Sequence, residues 1–201
     1  MSGVIPAVIL AAGLSSRMGG RAKALLPLAD GRTFIDTIIT SFAAAGVDDI
    51  VVVGHEAGAV TDHVASRAPQ VRCVRNDDYR QGQFSSLIAG LDAIDRPGVS
   101  GMLLTLVDVP RVSPSTIAAV LQRYRAVAPP IVRPVRGAEH GHPVLIDRAL
   151  FSALRDADPA QGAKPVVRAH VSAAGDVPVD DDWSFRDVDT PDDHARARGN
   201  G

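Results

Sequence analysis

Residues 6–12 are almost wholly apolar and break into a stretch rich in Gly and Ser. A short apolar run without alternation, ended by turn residues, predicts a strand buried on both faces. The spacing then becomes helical: Phe34, Ile35, Ile38, Ile39 and Phe42 share one side of a helix predicted over 33–45, with Thr33 as N-cap and Gly46 as terminator. The same alternation continues with a β-branched strand at 50–53, a helix at 57–66, a strand at 71–74, a helix at 85–94, a central strand at 102–107 and an amphipathic helix at 113–127 capped by Ser113. Strands alternating with helices at this spacing imply right-handed crossovers and a mainly parallel α/β sheet covered on both faces. After Pro129-Pro130 the pattern loosens. Strands are predicted at 131–135 and 143–146, joined by a polar turn, with helical pieces around Leu150 and Val166-Val167. Residues 183–188 read as a strand, and Thr190 as the cap of a terminal helix begun by Pro191.

Composition bounds the partners. With 201 residues and no repeat, low-complexity tract or long linker, a single domain over 1–201 is expected. A net charge of −2 gives no general electrostatic case for nucleic acid or an anionic membrane, so an anionic ligand must meet a local positive site. Of the 21 basic residues only Lys23 and Lys164 are lysines. The one cysteine, Cys73, cannot form an intramolecular bridge, and no apolar stretch reaches the roughly 20 residues that span a bilayer. Residues 1–6 carry no cationic segment of the kind that opens a signal peptide, so a cytoplasmic protein is expected.

The most informative stretch follows the first strand: Leu10-Ala11-Ala12-Gly13-Leu14-Ser15-Ser16-Arg17-Met18-Gly19-Gly20-Arg21-Ala22-Lys23. In a parallel sheet, ligands bind beyond the carboxyl ends of the strands. Gly13, Gly19 and Gly20 allow close backbone approach, while Arg17 and Lys23 supply positive charge for a polyphosphate. The loop is neither a Walker A sequence nor a G-x-G-x-x-G fingerprint, which argues against a P-loop ATPase and a standard NAD enzyme. By composition alone a solvated loop is the lesser alternative.

Asp108 closes the central strand ahead of Val109-Pro110, a place for a metal-binding carboxylate or for an ordinary turn residue. Ser85 and Ser86 open a helix and offer hydroxyls and amides to an anion or a base edge, or simply cap it. The polar run Asn76-Asp77-Asp78-Tyr79 before them is available to a base or ribose. His140 and His142 are two apart, but no third ligand stands at zinc spacing. His55, His63, His170 and His194 read as surface or helix residues, Lys164 as solvated, and Cys73 as a small hydrophobe unpaired with any base.

The run L-A-A-G-x-S-S-R-M-G-G-x-x-K closely resembles the signature of the MobA-like nucleoside-triphosphate transferases. Four further motifs come in that family's order: Gly82-Gln83-Phe84-Ser85-Ser86-Leu87, Leu106-Val107-Asp108-Val109-Pro110, Gly141-His142-Pro143-Val144-Leu145 and Asp187-Val188-Asp189-Thr190-Pro191-Asp192-Asp193. The G-H-P-V-L element most resembles the molybdenum-cofactor cytidylyltransferase branch. The resemblance implies a Rossmann-like three-layer α/β/α fold of the nucleotide-diphospho-sugar transferase kind, with a nucleotide-binding part over about 1–128 and an acceptor part over about 129–188. It implies Mg2+-dependent transfer of CMP from CTP to molybdopterin or its molybdenum-loaded form, and a molybdoenzyme client. On this reading Leu10, Ala11, Ala12, Gly13, Arg17, Lys23, Ser85 and Ser86 meet the nucleotide. Asp108 and Asp189 hold the metal, and His142 meets the acceptor. Asp187 competes with Asp189, which also stands where a helix cap would. The alternatives are a GTP-using guanylyltransferase, transfer to a sugar phosphate, and a non-catalytic accessory protein that hands the cofactor to a client hydroxylase.

Overall fold

Every residue of β1 (Ala7–Leu10) is buried, as its unbroken apolar run requires. Ala7 and Ile9 face one core while Val8 and Leu10 face the other. The computed structural model describes residues 3–12, 22–54 and 58–199. Around β1 the sheet runs in the order β3-β2-β1-β4-β7-β5-β6, with β8 paired to β5. β2 (Ile50–Gly54), β3 (Arg72–Arg75) and β4 (Gly101–Leu106) join β1 in parallel. On one face lie α1 (Phe34–Ala44), α2 (Ala59–Arg67) and α4 (Pro114–Val127), and on the other α3 (Gln83–Ile94). This is the three-layer α/β/α arrangement that the alternation predicts.

Local chemistry sets the helix starts. Thr33 caps α1 in a reciprocal box with Asp36, and Ser113 accepts from the Thr116 amide to cap α4. α3 lies close against the sheet because residue 90 is Gly: a Cβ there would stand 2.4 Å from Val8 Cγ1.

Past β4 the construction changes. β5 (Ile131–Arg136), β6 (Glu139–His140) and β7 (Val144–Asp147) extend the sheet antiparallel, so the whole is mixed. α5 (Phe151–Arg155) and α6 (Lys164–His170) follow, then β8 (Asp176–Pro178), which no apolar pattern announces, and finally α7 (Pro191–Arg198), capped by Thr190. The strand expected over 183–188 is not formed. Asp181 Oδ1 accepts from the Trp183 amide and its Oδ2 from the Ser113 amide and the Thr116 hydroxyl, which curls Asp182–Phe185 into a 3-10 turn against the start of α4. Among the described residues no helix is long and apolar enough to cross a membrane.

Candidate active site

Three segments far apart in sequence meet at the carboxyl ends of β1 and β4. The first is a 3-10 turn, Lys23–Leu25, seated by buried Ala24 and tied onward by the Phe34 amide to the Leu26 carbonyl. The second is the turn after β4 that carries Asp108. The third is the chain entering α7, where Asp193 Oδ2 accepts from the amides of Asp189 and Thr190. The Val188 amide donates to the Asp108 carbonyl at 2.7 Å, which clamps the second segment to the third. Lys23 then bridges all three. Its Nζ lies 2.7 Å from Asp189 Oδ1 and 3.7 Å from Asp108 Oδ2, with only 13% of the lysine side chain exposed.

Among the described residues, three carboxylates here stand near one ammonium. Burial pushes the Asp108 carboxyl above the ordinary carboxylate range, Lys23 pulls it down, and nearby Asp187 and Asp189 push it up again. Asp108 Oδ1 is buried and has no hydrogen-bond partner among the described residues. A buried carboxylate oxygen with nothing to accept from, flanked by further carboxylates, is suited to a hard divalent cation that takes oxygen ligands. The oxygens of Asp108 and Asp189 are of the kind such an ion takes, with Asp187 nearby, although among the described residues no group of three or more His, Cys, Asp or Glu side chains is arranged to hold a metal.

Leu10 ends β1, and Ala11 and Ala12 follow it at the same carboxyl edge of the sheet. The Val107 amide donates to the Leu10 carbonyl and the Ala11 amide to the Val53 carbonyl, so the chain leaves β1 between β4 and β2. Gly13 and Arg17 lie outside the described residues.

Ser85 and Ser86 lie in the first turn of α3, tied through Asn76 to the carboxyl end of β2. Both are organised by Asn76, only 5% exposed, whose Nδ2 donates to each hydroxyl at 2.9 Å. Asn76 is itself fixed by its amide to the Gly54 carbonyl at the end of β2, and its Oδ1 accepts from the Asp78 amide. The Ser85 hydroxyl donates back into the loop, to the carbonyls of Asp78 and Gly82. Gly82 has a φ of +102°, a conformation open to glycine at little cost.

On the other side, His142 precedes a cis peptide bond to Pro143. Its Nδ1 lies 3.4 Å from the Leu104 carbonyl, and desolvation lowers its pKa, which keeps the imidazole neutral, while Asp187 acts in the opposite direction. Ser184, 1% exposed, clasps the same residue twice: its hydroxyl donates to the His142 carbonyl, and its own carbonyl accepts from the His142 amide. Gly141 makes that clasp possible, because a Cβ there would lie 2.5 Å from the Ser184 carbonyl oxygen. Ser184, read as part of a strand, and Asp181 carry no functional signal in the sequence, since their partners lie far away along the chain. Lys164 opens α6, and Cys73 lies half-buried in β3 with its thiol pushed up by burial, away from nucleophilic use.

The model of the MobA-like NTP transferase domain matches residues 7–174. The chain is 30% identical over 194 residues to nicotine blue oxidoreductase of Paenarthrobacter nicotinovorans, covering 92% of each. It is 28% identical to the molybdenum cofactor cytidylyltransferase of Escherichia coli strain K12, covering 96% of this chain and 95% of that one. It is 30% identical to the molybdenum cofactor guanylyltransferase of Rhodopseudomonas palustris strain HaA2, at 96% and 91%. Among solved structures, Rv0371c of Mycobacterium tuberculosis superposes with a TM-score of 0.78 at 27% identity, covering 98% of this chain and 99% of that one. The same protein has been solved in complex with manganese, where the TM-score is 0.72 and the coverage 98% of each chain.

Proposed function

Because the chain belongs to the MobA-like NTP transferase family, we propose that this nucleotidyltransferase moves CMP from CTP to the phosphate of molybdopterin or its molybdenum-loaded form. An oxygen of the acceptor phosphate attacks the α-phosphorus, the bond from that phosphorus to the β-phosphate oxygen breaks, and pyrophosphate leaves. The acceptor is already ionised, so no strong general base is needed, and catalysis rests on positioning and charge neutralisation. Lys23 and Arg17 bind triphosphate oxygens, and the backbone of 10–13 approaches them closely. Asp108 and Asp189, with Asp187 alongside, hold a divalent ion, in our reading Mg2+. That ion, when bound, neutralises the triphosphate and orients its α-phosphorus. Ser85 and Ser86, set by Asn76, bind the nucleoside side, and neutral His142 hydrogen-bonds the acceptor. The nucleotide part then spans about 1–128 and the acceptor part about 129–188, in a cytoplasmic enzyme that supplies a molybdoenzyme.

The observation that carries this reading is the Lys23 ammonium in contact with both Asp108 and Asp189, which is 166 positions away in sequence. Ala12, which gives L-A-A-G where guanylyl transfer is associated with L-A-G-G, supports CTP over GTP. Pyrophosphate release measured with CTP and GTP in parallel, each with molybdopterin and Mg2+, tests it. Faster release with CTP is expected; a GTP preference overturns the choice of base. Release only with a sugar phosphate moves the acceptor, and no release with any acceptor favours the accessory role. The similarity to nicotine blue oxidoreductase favours a second reading, an oxidoreductase on this fold. Saturable NADPH binding with turnover of nicotine blue would establish it in place of transfer.

A further inference from the structure

The Lys23 ammonium stands where the carboxylates call for a cation. It is 2.7 Å from Asp189 and 3.7 Å from Asp108, it is largely shielded from water, and its charge counters the mutual repulsion of Asp108, Asp187 and Asp189. A divalent ion taken up by Asp108 and Asp189 meets this ammonium at close range, and the two positive charges compete for the same pair of carboxylates. A triphosphate offers the ammonium a denser set of anionic oxygens on a flexible four-carbon stem that can reach them. We propose that Lys23 is an internal counter-cation that makes the site selective for ion and triphosphate together: without nucleotide it occupies the carboxylates and weakens binding of a free divalent ion, and the triphosphate draws it away. The inference rests on the nucleotidyl-transfer reading and adds a second role for Lys23, in the order and selectivity of binding. By linkage, whatever Lys23 costs the free ion reappears as positive coupling between ion and nucleotide.

Binding of Mn2+ alone, followed by the spin-resonance signal of the unbound ion, tests this on the full chain. Lys23→Gln should bind Mn2+ at least about fivefold more tightly than the unsubstituted protein, the lower end of ordinary coupling. Lys23→Arg, which keeps the charge, should stay within about twofold of it on the same scale. The coupling between Mn2+ and a non-cleavable α,β-methylene CTP should shrink in Lys23→Gln by the factor gained by the free ion. Equal Mn2+ affinity in Lys23→Gln and the unsubstituted protein overturns the proposal.

A second measurement needs no substitution. The chain has only two lysines, so nitrogen-15 resonances of the side-chain ammonium groups isolate Lys23 from Lys164. Mg2+ alone, at a level that saturates in the presence of the analogue, should leave the Lys23 signal in place, and Mg2+ with the analogue should move it. Displacement by Mg2+ alone, or an unmoved signal with both, overturns the counter-cation while transfer activity can stand. Failure of the analogue to bind any of these proteins overturns the choice of CTP, and failure of the matching GTP analogue as well overturns the transfer reading and this inference with it.

Discussion

Along β1, β2 and β4 the chain is held by burial on both faces of the sheet, and α4, β5, β7 and α5 share that core, whereas the loop segments beyond β4 around residues 139–143 and 181–190 are held by single polar ties. In the first region Val8, Ile9, Val51, Val53 and Leu103 have no exposed surface to speak of, and the helices pack on them through periodic apolar faces. In the second, Asp181 fastens a loop to α4, Ser184 clasps His142, and Arg111 and Arg136 lie 4.7 Å over the rings of Trp183 and Phe185. β4 belongs to both, parallel to β1 on one edge and antiparallel to β7 on the other. The candidate site lies at that shared strand. Asp108 comes from the well-buried half, and Asp189 and His142 come from the tied half. The second segments thus keep their shape by a few side-chain ties, where the first region spreads its stability over many contacts.

Two glycine substitutions set the regions against each other. Gly141→Ala places a methyl 2.5 Å from a backbone carbonyl that is itself fixed by the His142 amide, so nothing can rotate aside. It should cost about 3 kcal/mol, the upper end of ordinary overpacking, and lower the melting temperature by about 6–12 °C. Gly90→Ala meets a side-chain methyl of Val8 at 2.4 Å, which can turn at a rotamer cost, and the helix gains from alanine's better propensity. Its net cost should be about 1 kcal/mol. Thermal unfolding of the two variants side by side checks the ranking, and an equal loss would erase the proposed contrast.

Asn76→Ala is expected next in size. It leaves the buried Ser86 hydroxyl without its donor and frees the loop at the end of β2, at about 1–3 kcal/mol of stability. If Asn76 positions the nucleoside side, KM for CTP rises about tenfold or more while kcat changes less, on the scale of one lost hydrogen bond. Steady-state kinetics separate this from simple destabilisation, which would lower the active fraction and leave KM alone.

The smallest effect has an unusual sign. The Asp108 carboxyl is held above its ordinary 3.8 chiefly by burial, so the native state binds its proton more tightly than the unfolded chain does. Its contribution to stability falls as the pH rises from the unfolded value through the raised native one, and the penalty is complete above that. Asp108→Asn should therefore stabilise the fold at neutral pH, and the gain should fade as the pH falls into and below the ordinary carboxylate range. Melting temperatures of both proteins across pH 3–8 check the slope.

The two regions also differ in how far they could be read from sequence. Alternating apolar runs foretold β1 to β4 and their helices, because a strand buried on both faces and a helix buried on one leave different periods. The cap residues Thr33, Ser113 and Thr190 were legible for a local reason, since a cap acts within three positions of itself. The expected strand at 183–188 failed because Asp181 bonds to α4, a partner 65–68 positions away that no local pattern can reveal. Lys23, Asp108 and Asp189 each stood out as a residue type at a strand or helix end. That they meet is a property of the topology. Ser184 and Gly141 became meaningful only as a pair, through the carbonyl that leaves no room for a Cβ.

Pyrophosphate release from CTP, with molybdopterin and Mg2+, by the unsubstituted protein and by Asp108→Ala tests the central claim most directly, that the charge cluster on β4 performs the transfer. The account predicts release by the first and a loss of about a hundredfold or more in the second, the scale of removing one preorganised electrostatic contact. Undiminished release by a folded Asp108→Ala protein would contradict it.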